Sequence, residues 1–158
     1  MNLVANLSGI ATKMDVRVFT KEELDTLKEN YHELVGRGGY GCVYAVMYEE
    51  MLCALKTSLS DENDYVFLNE MEQLLRIGGA GGSPRLLGFC LEDKTFLMTF
   101  CGSENLCDYV CRKSQELYLE DVLTLALRVT ERLQEVHRLG IIHNDLKSDN
   151  VNVTLNAQ

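Results

Sequence analysis

Apolar positions along this chain change period several times, and each change marks an element. Leu24 and Leu27 fall at helical spacing behind Thr20-Lys21-Glu22-Glu23, a capping-box pattern, which predicts a short helix from about Thr20 to Asn30. Residues 1–19 carry no clear pattern and read as a loose leader. From Tyr31 the period becomes that of a strand. Tyr31 to Val35 gives a first strand and Gly36 to Gly41 a glycine-rich connection. Cys42 to Tyr48 gives a second strand, rich in β-branched and aromatic residues. Glu49-Glu50 turns the chain into a third apolar strand, Met51 to Thr57, so the three form an antiparallel meander.

The helical period then returns. Ser60 or Asp61 can cap a helix running to about Arg76, with Phe67, Met71 and Leu74 on one face. Gly78 to Pro84 ends it and reads as a flexible loop. Leu86 to Cys90 and Thr95 to Phe100 form a hairpin around Glu92-Asp93-Lys94. A short helix begins near Ser103, and a long amphipathic helix covers about Leu119 to Leu139, with Gly140 as its stop. Val151 to Leu155 reads as a last strand. The expectation is an α+β chain: a small, mostly antiparallel sheet with one helix, then an incomplete helical part. Its divisions fall at 1–30 (leader and short helix), 31–101 (first lobe) and 102–158 (partial second lobe).

Composition narrows the classes. The chain has 158 residues, 46% hydrophobic and 25% charged, which suits an ordinary packed core. Its formal charge of −9, with no basic stripe, argues against nucleic acid as a partner. Backbone N–H groups and one or two lysines can still hold a small anion locally. No stretch approaches the roughly 20 apolar residues that span a bilayer. The first residues lack the order of a secretory signal, so a cytoplasmic, reducing location is expected. The six cysteines then read as free thiols, the closest cluster being Cys101, Cys107 and Cys111, which lacks zinc-ligand spacing.

Two features at the amino-terminal end suggest phosphate chemistry. Gly36-Arg37-Gly38-Gly39-Tyr40-Gly41-Cys42-Val43 fits G-x-G-x-x-G-x-V, a loop whose glycines permit close backbone approach to phosphates. A tight hairpin that simply needs glycine would look the same. A dinucleotide-binding turn would be followed by a helix, whereas a strand follows here. Lys56 lies inside the apolar run Ala54-Leu55-Lys56, where an ammonium is costly unless it meets phosphate or carboxylate. Glu70 sits three after Phe67 and four before Leu74, on the apolar side of its helix, and needs a cation. The two can satisfy each other, or Lys56 can reach solvent with Glu70 at the edge of the stripe.

His143-Asn144-Asp145-Leu146-Lys147-Ser148-Asp149-Asn150 resembles the H-R-D-x-K-x-x-N catalytic loop of protein kinases. With the glycine loop, Lys56 and Glu70 in family order, the chain from about Tyr31 onward resembles the amino-terminal part of a protein kinase domain. The resemblance implies ATP and Mg²⁺ as cofactors and protein hydroxyls as acceptors. It implies that Asp145 accepts or orients the acceptor hydroxyl, Lys147 stabilises the transferred phosphoryl group, Asn150 binds Mg²⁺ and His143 is structural. Lys56 and Glu70 complete the catalytic set. Further cofactor-binding positions are Gly36, Gly38, Gly39, Tyr40 and Gly41 of the loop and Val35, Val43 and Ala54 around the adenine. Met98 matches the gatekeeper, Thr99 to Cys101 the hinge and Asn105 the ribose position. Lys147 resembles Ser/Thr kinases, and Asn144 replaces the usual Arg, so phosphorylation-dependent activation is not expected.

Phe19-Thr20-Lys21-Glu22-Glu23-Leu24 and Leu86-Leu87-Gly88-Phe89-Cys90-Leu91-Glu92 resemble segments of plant receptor-like and interleukin-receptor-associated kinases, which implies an upstream receptor or adaptor. The family's Asp-Phe-Gly motif would fall beyond Gln158, so an incomplete catalytic domain is expected, with little or no transfer, and with Leu123, Leu127 and Leu133 left partly uncovered. Two other functions fit parts of the pattern: a non-catalytic, pseudokinase-like binding fragment, and a small-molecule phosphotransferase of related fold.

Overall fold

The computed structural model describes residues 16–39, 41–58 and 64–154, and they fall into two compact units. The first is the described chain up to Gly78 with Pro84–Phe100; the second is Gly79–Ser83 with the chain from Cys101 onward. Tyr40, the proposed caps Ser60 and Asp61, and Leu155 lie outside the described residues.

The first unit is built on a sheet of six strands. These are β1 (Arg17–Val18), β2 (Glu33–Gly38), β3 (Gly41–Tyr48), β4 (Met51–Ser58), β5 (Leu86–Cys90) and β6 (Thr95–Thr99), in the spatial order β1-β5-β6-β4-β3-β2. All neighbours are antiparallel except β1 and β5. Helix α1 (Lys21–Glu29) is fixed at its start by the Thr20–Glu23 capping box. Its Leu24 joins Phe19, Val46, Cys53, Leu55, Cys90 and Leu97 in a core on one face of the sheet. Helix α2 (Asp64–Ile77) covers part of the opposite face, where Phe67, Met71 and Leu75 pack with Leu86, Phe89 and Phe96. Period-2 alternation along β5 and β6 thus feeds two cores from one pair of strands.

Two readings of this unit need correction. Strand β2 starts later than Tyr31 and runs on through Gly36 and Gly38, because glycines in extended backbone can continue the ladder as far as Gly38 opposite Gly41. The supposed leader is not loose throughout: Val16 and Phe19 are buried, and the Phe19 N–H donates to the Phe89 carbonyl at 2.8 Å.

The second unit contains α3 (Leu106–Arg112) and α4 (Leu119–Arg138). Helix α4 ends as expected before Gly140, whose φ of 72° suits a residue without Cβ. The glycine segment after α2, expected to be flexible, forms a 3₁₀ turn over Ala80–Gly82. Gly81 has no room for a Cβ, which would lie 2.5 Å from the Arg132 carbonyl, and its N–H donates to Glu135 at 3.0 Å. The strand expected from Val151 reduces to a single bridge between Asn105 and Asn152. On α4, Leu123 and Leu127 are 60% and 59% exposed, while Leu133 is half-buried. Among the described residues, no helix is long and apolar enough to cross a membrane.

The β3–β4 turn carries avoidable strain. Glu49 and Glu50 both have left-handed φ, 47° and 64°, between the paired residues Tyr48 and Met51. Such turns favour Asn-Gly. Glu50→Gly should therefore raise stability by about 1 kcal/mol, and Glu50→Val should lower it. Thermal unfolding of the two variants beside the parent chain reads both signs.

Candidate active site

Strand register brings together the candidate residues of the first unit. Val43 lies opposite Lys56, and Ala45 opposite Ala54. On the other side of β4, Ala54 lies opposite Met98 and Lys56 opposite Phe96. Directly paired residues share a face, so Val43, Ala54, Lys56 and Met98 all stand on the face that α2 partly covers. Ala54 is buried, while Val35, Val43 and Met98 are half-buried. The Lys56 ammonium pairs with the Glu70 carboxylate of α2. It also lies 5.7 Å from the centroid of the Phe96 ring, an edge of apolar surface that limits competing water. Phe96 was not singled out in the sequence, although its place two residues before Met98 on the same strand face was the available signal.

The glycines divide into two kinds. A Cβ on Gly41 would lie 2.3 Å from the Thr57 carbonyl, so the fold itself requires glycine there. A Cβ on Gly36, Gly38 or Gly39 would meet nothing within 4 Å. None of these three has a left-handed φ. Neither packing nor backbone conformation explains them, and open space above a hairpin is what a phosphate-bearing ligand would need.

At the end of β6, Thr99 closes the strand: its N–H donates to the Arg85 carbonyl and its hydroxyl accepts from the Arg85 N–H, both at 2.9 Å. Cys101 belongs to the second unit, where its Sγ lies 3.5 Å from the Gly82 carbonyl. Asn105 has a visible structural task. Its Oδ1 accepts from the Asp108 N–H and its Nδ2 donates to the Asp108 carboxylate, each at 2.8 Å, so both polar atoms cap α3.

The second unit holds the other candidate residues in one loop. Lys147 Nζ lies 3.2 Å from Asp145 Oδ2. The Asn150 amide nitrogen donates to the same carboxylate at 2.8 Å and to the Asp145 carbonyl at 2.9 Å. Lys147 first, then Asn150, hold the Asp145 carboxyl below its ordinary range, so it is ionised at neutral pH and can accept a proton-bearing hydroxyl. Because the Asn150 nitrogen is committed to Asp145, its amide oxygen is the atom left for a cation. His143 Nδ1 accepts from the Asp145 N–H at 3.4 Å, a long contact to backbone. Asn144 has φ of 61°, a conformation Asn adopts far more readily than most residues, which accounts for the residue type at this position.

The family model for protein tyrosine and serine/threonine kinases matches residues 30–158. Wall-associated receptor kinase 5 of Arabidopsis thaliana is 30% identical over 94% of this chain and 22% of its own length. A probable LRR receptor-like serine/threonine-protein kinase of the same plant is 25% identical over 96% of this chain and 18% of its own length. The chain thus spans about a fifth of these relatives. A solved apo pseudokinase superposes with a TM-score of 0.69 at 18% identity, covering 89% of this chain and 59% of the other, a likeness of fold.

Two outcomes follow from this geometry. Gly38→Ala should leave stability unchanged or raise it by up to about 1 kcal/mol, whereas Gly41→Ala should destabilise; paired chemical denaturation curves separate them. For Asp145, a folded pKa below the unfolded one gives a contribution complete above the ordinary carboxylate range and lost as pH falls through the folded value. Its carboxyl carbon, followed by NMR titration, should move at lower pH than a free Asp, and Lys147→Met should shift that midpoint upward.

Proposed function

The chain belongs to the protein tyrosine and serine/threonine kinase family, and from that premise we propose that it is the amino-terminal part of an ATP-dependent protein Ser/Thr kinase domain. The observation that carries the reading is the Lys56–Glu70 pair, set on the same sheet face as Val43, Ala54 and Met98. A lysine held this way presents its ammonium to phosphate oxygens instead of folding back to solvent. The unexplained glycines 36, 38 and 39, with Tyr40 and Gly41, supply backbone around those phosphates. Val35, Val43, Ala54 and Met98 offer apolar surface to adenine, and Thr99 to Cys101 offer backbone groups to its edge; Asn105, already spent on a helix cap, has the weakest claim to the ribose.

In the transfer step, Asp145 receives the acceptor hydroxyl's proton or orients that hydroxyl, and Lys147 offsets charge on the moving phosphoryl group. Asn150, through its free oxygen, would contribute one ligand to Mg²⁺, with phosphates and water as the others. Mg²⁺ would supply charge neutralisation at the phosphates. Among the described residues no group of three or more His, Cys, Asp or Glu could hold a metal alone, which suits an ion brought with its nucleotide. Lys147 favours Ser/Thr acceptors on proteins, and the receptor-like relatives favour a cytoplasmic domain under an upstream receptor or adaptor.

Mg·ATP titration and peptide phosphorylation test this reading. The chain should bind Mg·ATP, Lys56→Met should weaken that binding at least tenfold, and Asp145→Ala should retain it. In the protein that carries this segment, Asp145→Ala should abolish transfer to Ser/Thr peptides. Binding without any transfer by the parent protein would instead support a non-catalytic, pseudokinase-like role.

A further inference from the structure

The four residues Val16 to Phe19 clip both cores of the first unit. Strand β1 adds in parallel to the free edge of β5, with Arg17 opposite Gly88 and Val18 opposite Phe89. Alternation then sends neighbouring side chains to opposite faces. Val16, 9% exposed, joins the cluster of Phe67, Met71 and Leu75 on α2, while Phe19, 5% exposed, joins the cluster under α1. Four contacts help keep the strap in place. The Phe19 ring lies where a Cβ on Gly88 would stand, 2.2 Å away, so only glycine admits it. Arg17 donates to the Tyr48 hydroxyl at 3.0 Å and to Glu23 at 2.6 Å. Phe19 and Tyr48 meet edge to face at 5.5 Å.

The other members of the Val16 cluster bear on the site. Phe67 and Met71 flank Glu70 in sequence, and Phe67 packs on Phe96, the ring beside the Lys56 ammonium. Helix α2 therefore rests on the sheet through Phe67, Met71 and Leu75; among the described residues Val16 is the one fully buried member of that cluster from outside the helix and strands β5 and β6, with the partly buried Leu91 packed against it as well. A cleft lined by Val16, Leu74, Leu75, Gly78, Leu86 and Leu87, with Arg85 as its one charged residue, lies beside it, so packing at the carboxyl end of α2 leaves a gap next to Val16.

We propose that the Val16–Phe19 strap is a positioning element for phosphoryl transfer: Val16 braces α2 so that Glu70 holds Lys56. This deepens the kinase reading and rests on it for its functional meaning, but the brace can be measured without nucleotide. Hydrogen exchange of α2 amides around Glu70 is read in the full chain for Val16→Ala, Val16→Ile and Leu24→Ala. Leu24→Ala is the control, because it damages the opposite core. Val16→Ala should accelerate exchange at α2 at least tenfold relative to α1 and weaken Mg·ATP binding severalfold, and Val16→Ile, which can extend into the cleft, should restore both. Leu24→Ala should cost at least as much thermal stability without selective loss at α2. Uniform exchange changes that track stability in all three variants would overturn the brace. Selective exchange at α2 with no nucleotide binding in any variant would uphold it and contradict the kinase reading instead.

Discussion

An ammonium on an apolar strand and a carboxylate on the apolar side of a helix are each costly alone, and the site depends on their meeting. Lys56 and Glu70 are fourteen residues apart and sit on different elements, so their contact requires α2 to lie at one height and rotation on the sheet. That placement comes from apolar packing. Phe67, Met71 and Leu75 set the helix against Phe89 and Phe96, and Glu70 is carried into place between them. A pair formed this way fixes the direction of the Lys56 ammonium, which is the property a phosphate-binding lysine needs.

Among the described residues of the first unit, the two faces of this sheet are covered to different extents. Helix α1 and Phe19 close the face of Val46, Cys53, Leu55 and Leu97. Helix α2 closes only the β5–β6 part of the opposite face, and Val43, half-buried, stands beyond it. The glycine hairpin continues that open side without side chains at positions 36, 38 and 39. In the second unit the contacts lie within one short loop: Lys147 offsets the charge of Asp145, the Asn150 amide donates to the same carboxylate, and together they keep the Asp145 carboxyl ionised.

Much of this was legible in the residues. Capping at Thr20, the hairpins and α4 all follow from local rules, because each is decided within a few residues or by one period; the two misplaced charges, Lys56 and Glu70, were visible one by one, but their meeting was left open until α2 was placed on the sheet. What escaped was decided by distant partners. Nothing near Val16 signals a strand, since its ladder partner lies at Gly88 and Phe89. The run Gly78 to Pro84 looks flexible until Glu135 and the Arg132 carbonyl, on a helix far along the chain, fix Gly81. Val151 onward has strand composition, but among the described residues one bridge, Asn105 to Asn152, is formed. Asn105 illustrates a different limit: a polar residue after a hinge-like segment serves a helix cap as readily as a ligand. The two segments that resembled receptor-like kinases, around Phe19 and Gly88, turn out to be one contact, an aromatic ring lying where a side chain on glycine would be.

In the function proposed above, Lys56 is the lysine presented to nucleotide phosphates. The most direct measurement is acylation of the chain by an ATP acyl phosphate, with the modified lysines mapped by mass spectrometry in the presence and absence of free ATP. The expected result is modification of Lys56 that excess ATP suppresses and that is lost when Glu70→Ala releases the helix contact. Modification spread over exposed lysines such as Lys21, unaffected by ATP, would contradict it.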